Sequence, residues 1–251
     1  MNDMTLLHGD CLELMKGIPD GSIDMILCDL PYGTTACKWD TIIPFEPLWQ
    51  QYNRIIKDKG AICLFGSEPF SSKLRMSNLK MFKYDWVWKK TLTSNFALCK
   101  KQPFKKHEMI SMFYKKQPTY NPQMEAGKPY IDNRRSGKRN ASVGTEDGIA
   151  RQPINNGGTR YPSSVQEFSN GNNGNVHPTQ KPVALLEYLV KTYTNEGEVV
   201  LDNCMGSGST GIACVNTGRK FIGMELDKHY FEVACERLSN AKEMSVNANT
   251  K

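Results

Sequence analysis

The chain has 251 residues, of which 39% are hydrophobic and 23% charged, a composition typical of one large globular domain or of one domain with a sizeable insertion. No stretch reaches the roughly 20 apolar residues of a membrane span, and no export signal opens the sequence, so we expect neither a membrane span nor secretion. The net charge of +6 is modest, and the eight cysteines include no C-x-x-C pair, which favours reduced thiols over disulfides or a zinc site.

The first third of the chain alternates short apolar runs with amphipathic stretches. Residues 5–7, 23–28 and 61–65 are predicted strands, and they are apolar enough for a parallel sheet that is covered on both faces. Apolar residues recur at helical spacing between the last two strands, and Gly60 is expected to end that helix. The helical positions are Phe45, Leu48, Trp49, Tyr52, Ile55 and Ile56. The pattern predicts a β-α-β unit.

The middle of the chain loses this regular pattern. Residues 84–90 and 109–114 are two further predicted strands, but residues 115–176 are rich in Asn, Gly, Ser, Pro and Arg and have almost no apolar periodicity. Such a segment is either a disordered linker or a loop-built insertion that works through contact with another molecule.

The positive charge is concentrated around the start of this segment. Residues 100–139 contain eleven Lys or Arg and three Asp or Glu, so they carry +8 and the rest of the chain −2. The aromatic residues interleaved with these charges are Phe104, Phe113, Tyr114, Tyr120 and Tyr130. A solvated charged face is one interpretation, and a surface that follows a phosphate backbone and offers rings to bases is the other.

Regular structure returns at residue 177. The predicted elements beyond it are a helix at 185–193, a strand at 199–201, a helix at 209–216 followed by Gly218, a strand at 221–225, and a closing helix capped by Asp227. The alternation of strands and helices on both sides of the irregular segment indicates an α/β fold.

The apolar run 23–28 ends in the tetrapeptide Asp29-Leu30-Pro31-Tyr32, which combines an acid, a rigid proline and an aromatic ring. Asp and Pro are common turn residues and Tyr can cap a core, so a simple turn is one interpretation. A functional loop at the carboxyl end of a parallel strand is the other.

A glycine-rich loop follows the later strand. Residues 201–211 read LDNCMGSGSTG, in which Gly206, Gly208 and Gly211 have the G-x-G-x-x-G spacing, and Glu225 ends the next predicted strand. Glycines let the backbone approach a ligand, and a terminal acid accepts hydrogen bonds from ribose hydroxyls. A nicotinamide dinucleotide fits poorly because no His or Arg arrangement suggests hydride transfer. S-adenosylmethionine needs the same kind of loop and acid.

Three motifs in this order resemble the β group of DNA amino-methyltransferases: DLPY at 29–32, HPTQKP at 177–182 and VVLDNCMGSGSTG at 199–211. The resemblance covers nearly the whole chain. It implies a class I methyltransferase, Rossmann-like fold, with a mostly parallel seven-stranded sheet flanked by helices and an inserted, loop-rich target-recognition region. In this sequence the insertion is expected at 115–176, between a catalytic half at 1–114 and a cofactor-binding half at 177–251.

The chain departs from the family pattern in both loops, and the glycine loop reads D-N-C-M-G-S-G-S-T where the family has D-P-F-x-G-S-G-T-T. Leu30 stands where the family tetrapeptide has its first proline, and Cys204 stands where relatives have a phenylalanine that packs at the cofactor site. Asp29, Pro31 and Tyr32 are retained, so we expect an active enzyme.

By this resemblance, Asp29, Pro31 and Tyr32 are the catalytic residues. The enzymes of this group methylate an exocyclic nitrogen of adenine or cytosine, and such a nitrogen is a poor nucleophile because its lone pair is delocalised into the ring. Asp29 and the backbone carbonyl of Leu30 or Pro31 are expected to accept its two hydrogens, while Tyr32 holds the flipped base.

S-adenosylmethionine is the cofactor that the resemblance implies. Glu225 is expected to bind the ribose hydroxyls, and Asp10 to lie near the adenine ring, although a helix N-cap is an alternative role for Asp10. Thr179 and Lys181 are expected to meet the methionine carboxylate. The full expected set is Asp10, Cys11, Asp29, Thr179, Lys181, Asp202, Gly206, Ser207, Gly208 and Glu225.

Double-stranded DNA is the expected partner, with no membrane and no metal. The residues expected to contact it are Lys105, Lys106, Arg134, Arg135 and Arg139, of which any single arginine more often contacts a phosphate than a base. A homodimer and a separately acting restriction endonuclease are open alternatives, and the expected location is the cytoplasm, at the nucleoid.

The preferred acceptor is N6 of adenine, because relatives that act on N4 of cytosine more often carry Ser at the position of Asp29. Methylation of cytosine N4 is the close alternative. A glutamine side chain of a protein is a second, since its amide poses the same nucleophile problem, and a catalytically silent DNA-binding module is a third.

Overall fold

The apolar runs form the strands of a central sheet, and the amphipathic stretches form the helices that cover it. The computed structural model describes residues 3–34, 40–132, 154–170 and 180–249. The strands in this part of the chain are β1 (Met4–His8), β2 (Ile23–Cys28), β3 (Ile56–Gly66), β4 (Phe82–Ser94), β5 (Lys105–Phe113), β6 (Glu125–Ala126), β7 (Tyr130–Asp132), β8 (Ile154–Asn156), β9 (Thr159–Arg160), β10 (Val165–Phe168), β11 (Val199–Asp202) and β12 (Lys220–Glu225).

The helices are α1 (Cys11–Met15), α2 (Phe45–Ile55), α3 (Phe70–Ser77), α4 (Val183–Tyr193), α5 (Ser209–Asn216) and α6 (Lys228–Asn249). The sequence pattern predicts α2, α4, α5 and α6 but not the short helices α1 and α3. None of the helices in the described ranges is both long enough and apolar enough to cross a bilayer.

Eight strands form one sheet in the order β1-β12-β11-β2-β3-β5-β4-β10. Neighbouring strands are parallel except around β5, which runs antiparallel to β3 and β4. The mostly parallel α/β sheet is confirmed, but the implied count of seven strands is one short. The additional strand is β10, which comes from the predicted insertion and pairs in parallel with β4 at the sheet edge.

Helices cover both faces of the sheet, as expected for strands that are apolar on both sides. On β2, Ile26 and Cys28 pack with α1, α2 and α3, whereas Met25 and Leu27 pack with α4, α5 and α6. All four side chains are at most 1% exposed. The two cores therefore hold the strands in one register, which fixes the positions of the loops that leave their carboxyl ends.

The prediction for Gly60 is wrong. Helix α2 ends at Ile55, and β3 begins at the next residue, so that Gly60 lies inside the strand. The pairing of β2 with β3 shifts register there, from Ile23↔Ile56 to Met25↔Ala61. A Cβ on Gly60 would lie 2.6 Å from the Ile56 side chain, so the glycine serves a bulge and not a helix end.

Residues Pro122–Ser163 form a compact unit of their own, a narrower segment than the predicted insertion at 115–176. Within it, β6 pairs with β9 and β7 with β8, both antiparallel. Arg160 is held internally, since its guanidinium lies 4.5 Å from the centre of the Tyr130 ring and donates to Asn156 Oδ1 at 2.7 Å.

The chain is anchored in the main unit on both sides of this segment. Before it, the Asn121 amide donates to the Thr192 carbonyl at 2.8 Å, and its side chain donates to the Thr194 carbonyl at 3.1 Å. After it, the Ser164 carbonyl accepts a 2.8 Å hydrogen bond from the amide of Val87, where β10 begins to pair.

Gly211 of α5 allows close contact between that helix and its neighbours. A Cβ at this position would lie 2.7 Å from atoms of Leu238 and Phe221, both buried. We expect Gly211→Ala to lower the free energy of unfolding by about 1–2 kcal/mol, because the overpacking exceeds the gain in helix propensity. Urea denaturation measures this. Gly17→Ala is the control, since its Cβ would have only an ordinary contact at 3.5 Å, and equal losses in both variants would contradict the explanation.

Candidate active site

A cavity of about 590 Å³ opens at the edge of the sheet where the parallel strands end. Loops after β1, β2, β11 and β12 form its wall, and the end of β4 and the start of β5 complete it because β5 runs in the opposite direction. Its volume lies within the usual range for small-molecule sites. The predicted site residues that line it are Asp10, Cys11, Asp29, Pro31, Tyr32, Lys181, Asp202, Gly206, Ser207 and Glu225.

The tetrapeptide loop after β2 presents one carboxylate and one ring to the cavity. The Tyr32 hydroxyl donates a 2.5 Å hydrogen bond to Asp29 Oδ1. The Tyr32 ring stacks on Phe70, with centroids 4.9 Å apart and an interplanar angle of 28°. Asp40 accepts hydrogen bonds of 2.8 and 2.9 Å from the two backbone amides that follow the loop. These contacts fix the acid and the ring beside each other.

Leu30 occupies the position of the first family proline without disturbing this arrangement. It is 3% exposed and packs in the core beneath the loop. The substitution therefore exchanges one apolar group for another, while Asp29 and Tyr32 stay on the cavity wall.

Lys181 joins the tetrapeptide loop to β5. Its ammonium group pairs with the Asp29 carboxylate and lies 3.4 Å from Glu108 Oε2, and Glu108 in turn pairs with Lys90. All four side chains line the cavity, and 10–24% of each is exposed. The charges alternate in sign along the cluster and sum to zero.

The pKa shifts within this cluster follow from burial and charge. Burial raises the pKa of Asp29, against the opposing effect of the Lys181 ammonium. Burial acts in the same direction on Glu108, but the ammonium groups of Lys181 and Lys90 outweigh it and leave the pKa of Glu108 lowered. Burial alone would lower the pKa of Lys181, yet Asp29 and Glu108 together raise it. Glu108 and Lys181 are thus held in their charged forms.

The glycine loop links β11 to α5 at the opposite wall. Asp202 Oδ2 accepts a 2.6 Å hydrogen bond from the Thr210 hydroxyl, and Asp202 Oδ1 accepts a 3.1 Å bond from the Cys204 amide. Burial raises the pKa of Asp202 to about 6. Ser207 receives a hydrogen bond from Arg237 at its hydroxyl, 2.8 Å away. The loop therefore brings one ionisable carboxylate and three hydroxyl-bearing residues, Ser207, Ser209 and Thr210, to the cavity.

Gly208 differs from the expectation, because it is not on the cavity wall. It caps α5 with a φ of +80°, and its Cβ would lie 3.1–3.2 Å from Leu238 and Ala234 of α6. Its role in this structure is close packing between two helices in a left-handed backbone conformation.

Glu225 and Asp10 lie side by side at the ends of the paired strands β12 and β1. Glu225 accepts hydrogen bonds from the backbone amides of Gly206 at 2.9 Å and Asp227 at 2.8 Å, and burial raises its pKa. Asp10 accepts from the amide of Leu12 at 2.8 Å, so it is the N-cap of α1 and also part of the cavity wall.

Cys204 lies in a polar network beneath the glycine loop. The side-chain nitrogen Nδ2 of Asn203 is 3.5 Å from the sulfur atoms of both Cys204 and Cys11. Asn203 Oδ1 accepts a 2.5 Å hydrogen bond from the Tyr52 hydroxyl. Burial raises the pKa of the neighbouring Cys28 thiol to about 12. The position that relatives fill with a ring thus holds a thiol among neutral partners.

The structure places only part of the predicted basic surface. Lys105 donates to the Ser67 hydroxyl and Lys106 is exposed. Thr179, Arg134, Arg135 and Arg139 lie outside the described residues. In the described ranges, no group of three or more His, Cys, Asp or Glu side chains has the geometry of a metal site.

Glu108 and Lys90 are site residues that the sequence interpretation missed. A signal exists, because Glu108 is the only acid between Asp85 and Glu125, in the middle of the most basic part of the chain. An isolated acid in a basic strand is a reason to expect a specific ion pair.

The N6/N4 DNA methylase profile matches residues 23–236 of the chain. The chain is 30% identical over 257 residues to the type II methyltransferase M.HpaI of Haemophilus parainfluenzae, covering 95% of this chain and 75% of that protein. It is also 30% identical over 259 residues to the DNA adenine methyltransferase YhdJ of Escherichia coli, covering 96% and 84%.

Solved structures show the same fold. The complex of M1.HpyAVI with SAM superposes with a TM-score of 0.63 at 23% identity, covering 94% of this chain and all of that one. The cytosine-N4-specific PvuII DNA methyltransferase superposes with a TM-score of 0.66 at 15% identity, covering 98% and 95%. The fold is therefore that of the class I methyltransferases.

Proposed function

The chain belongs to the N6/N4 family of DNA methylases, and from that premise we propose that it transfers a methyl group from S-adenosylmethionine to the exocyclic N6 amino group of adenine in duplex DNA. The observation that carries the proposal is the meeting of Asp29 and Tyr32 with the glycine loop on one cavity. The cavity therefore combines a hydrogen-bond acceptor for the amino group, a ring on which a base can stack, and a glycine loop suited to a nucleoside. A base and a cofactor could both reach these groups.

The tetrapeptide loop activates and holds the amino group. Asp29 is occupied by the Tyr32 hydroxyl and by Lys181, so an entering base exchanges one of these partners for its own N–H. A second acceptor is the backbone carbonyl of Leu30 or Pro31, and the fixed φ of Pro31 restrains that carbonyl. Two acceptors draw the nitrogen towards tetrahedral geometry and stabilise the positive charge that develops on it.

Tyr32 provides the surface on which the target base stacks. A base inside a duplex cannot reach the cavity, so it must rotate out of the helix first. Phe70 supports the Tyr32 ring from one side by stacking, which limits the rotation of the ring and reduces the entropy lost when the base binds.

The cavity fits S-adenosylmethionine, which supplies an electrophilic methyl group when bound. Six carboxylates and two ammonium groups line the wall, and both ammonium groups are paired within the protein, so the wall favours a ligand with positive charge. Glu225 would hold the ribose hydroxyls. Asp202, whose pKa is about 6, is mostly ionised at neutral pH and suits the amino group of the ligand.

The charge cluster keeps Lys181 paired throughout the reaction. Methyl transfer leaves a surplus proton on the nitrogen, and Asp29 accepts it, since burial makes this carboxylate a stronger base than usual. When Asp29 becomes neutral, Lys181 still has Glu108 as a partner. No buried ammonium is left alone, which would be costly.

We propose adenine in preference to cytosine because the first residue of the tetrapeptide is Asp29. Asp29 is retained in this chain, and two relatives at 30% identity are named as methyltransferases, one of them an adenine methyltransferase. The structural similarity to a cytosine-N4-specific enzyme keeps N4 of cytosine as the second candidate, because that amino group poses the same chemical problem.

Recognition of the target sequence is proposed for the insertion at 115–176, together with the basic residues near it. Its arginines at 134, 135 and 139 supply phosphate or guanine contacts in this proposal. A DNA substrate also supports the proposed location in the cytoplasm, at the nucleoid. We also propose that the protein acts as a homodimer, which sedimentation tests. Action alongside a restriction endonuclease is a separate part of the proposal, which the genomic context tests.

The test is incubation with mixed-sequence duplex DNA and methyl-labelled S-adenosylmethionine, followed by digestion to nucleosides and mass analysis. Label on N6-methyladenine supports the proposal, and label on N4-methylcytosine moves it to the second candidate. If the cofactor binds and no label reaches DNA, the function fails. A labelled glutamine in protein would then identify the other acceptor, and binding of DNA without transfer would identify a silent module.

Lys106 is expected to contribute to DNA binding through a phosphate contact. It is exposed in the basic strand β5, whereas the neighbouring Lys105 is held by Ser67. Lys106→Gln should weaken binding to all sequences alike and reduce the slope of log K against log salt by about 1. Fluorescence anisotropy at several salt concentrations measures the slope. Lys59→Gln, at the start of β3 and far from the cavity edge along that strand, should leave it unchanged.

A further inference from the structure

We propose that the tip of the β4–β5 hairpin, residues 95–104, is a wedge that enters the DNA duplex and occupies the space vacated by the extruded base. The proposal rests on the DNA methylation proposed above, and it assigns the work of opening the duplex to a defined part of the chain.

The tip exposes a large apolar surface. Phe96 is 74% exposed, Phe104 45% and Leu98 40%. The two phenylalanine rings stack on each other, with centroids 5.5 Å apart and an interplanar angle of 18°. Exposed apolar clusters of this kind are unfavourable in water unless a partner covers them. Flat aromatic rings can stack on bases, because both present π-faces, and apolar side chains can insert between base steps.

The tip is ordered before any partner arrives. Asn95 adopts a left-handed conformation with a φ of +60°, and its Oδ1 accepts a 2.8 Å hydrogen bond from the Lys105 amide across the hairpin. The Leu98 amide donates to the Asn95 carbonyl at 2.9 Å. These bonds close the tip on itself, so insertion loses little conformational entropy.

The charges around the tip select the partner. Residues 91–107 contain Lys100, Lys101, Lys105 and Lys106 and no acid. A polyanion gains by approaching such a surface, because each phosphate contact releases counterions. A second copy of the same tip would bring like charges together, so symmetric association through this surface is disfavoured.

The wedge is continuous with the cavity that receives the base. Ser94, the last residue of β4, lines the cavity together with Lys90 of the same strand, and Asn95 follows directly. Glu108 of the returning strand also lines it. A duplex that meets the tip therefore lies beside the entrance through which a rotated base reaches Tyr32, and filling the gap stabilises the open duplex.

The experiment compares methylation of a duplex and of the single strand of the same sequence by the full chain carrying both Phe96→Ala and Phe104→Ala. A single strand has no gap to fill. We expect kcat/KM to fall about tenfold or more on the duplex and to change less than about twofold on the single strand. Fluorescence of 2-aminopurine at the target position should fall in parallel, because the base spends less time outside the duplex. Leu79→Ala is the control, since this residue is 58% exposed and precedes β4 at its other end.

Each other outcome overturns the proposal in a distinguishable way. Equal activity of the variant and the parent on the duplex would contradict the wedge proposal but would be consistent with the methyltransferase function. An equal loss of kcat/KM on the duplex and on the single strand would show that the two rings act at the cavity and not on the duplex. A change from dimer to monomer on sedimentation assigns the surface to a second copy. If the parent methylates neither substrate, the proposed function itself fails, and the wedge with it.

Discussion

Replacement of Asp29 by alanine is expected to lower kcat by about 10³-fold or more while the cofactor still binds. Asp29 is the carboxylate of the tetrapeptide loop that lines the cavity, and it bonds to Tyr32 and Lys181. In the proposed mechanism, its loss removes the acceptor for the amino hydrogen, the compensating charge and the proton acceptor together. Single-turnover transfer of labelled methyl groups measures the first effect, and calorimetric titration with the cofactor measures the second.

Asp29→Asn serves as the matched variant. It keeps the size of the side chain and one acceptor oxygen but loses the charge, so its kcat should lie between those of the parent and Asp29→Ala. A kcat of Asp29→Ala within tenfold of the parent would show that another group activates the nitrogen.

Replacement of Glu108 by glutamine is expected to shift the pH dependence of kcat and to lower its plateau by about tenfold. Glu108 shares Lys181 with Asp29, and its negative charge helps to raise the pKa of Asp29. Without that charge, Lys181 acts on Asp29 alone and the pKa of Asp29 falls. In the proposed mechanism activity requires ionised Asp29, so the acidic limb of the profile should move to lower pH, while the weaker base should accept the proton less readily.

The same variant should be less stable by about 3 kcal/mol at neutral pH, because it leaves Lys90 and Lys181 short of a buried counter-charge. The pKa of Glu108 is lowered in the folded state, so the stabilisation in the parent is present above the ordinary pKa of glutamate and disappears as the pH falls through the lowered value. Thermal unfolding across the acidic range measures this loss in the parent and its absence in the variant.

Two further variants separate this role from general damage. Glu108→Asp keeps the charge and should restore the acidic limb at least in part. Glu167→Gln removes the carboxylate of an exposed pair with Lys89, 2.5 Å apart, and should alter neither the pH profile nor the stability. If Glu108→Gln loses activity with an unshifted acidic limb, Glu108 has a structural role only.

The parts of the fold that the sequence predicts well are those with a strong period. The parallel β2-α2-β3 unit and the strand-loop-helix around Gly206 follow from apolar spacing and glycine placement. Helix α1 is too short, at five residues, to show a clear period, and α3 lacks the preceding glycine loop that indicates α5, a helix of the same eight residues in length. Gly60 was misassigned because a glycine after an amphipathic run looks the same whether it ends a helix or relieves a bulge.

The site residues also divide into those that the sequence predicts and those that it does not. Asp29 and Tyr32 are neighbours in sequence and were predicted together, whereas their contacts with Lys181 and Glu108 depend on the packing of distant segments. Lys181, a predicted partner of the cofactor carboxylate, contacts two protein carboxylates in the structure. The antiparallel pairing of β5 with β3 and β4, in which Trp88 lies opposite Glu108, brings that acid to the cavity. Register of this kind cannot be read from a single sequence.

The segment Pro122–Ser163 has a consequence for how this enzyme can change over time. In the described part of this segment four strands pair with one another, and the chain on either side is hydrogen-bonded to the main unit at Asn121 and Ser164. None of the described residues of the segment belongs to the eight-stranded sheet or to the charge cluster, so their exchange would leave both in place. A single recombination event can therefore replace one contiguous segment without altering the cavity residues, so that under the proposed function target preference and chemistry would evolve separately.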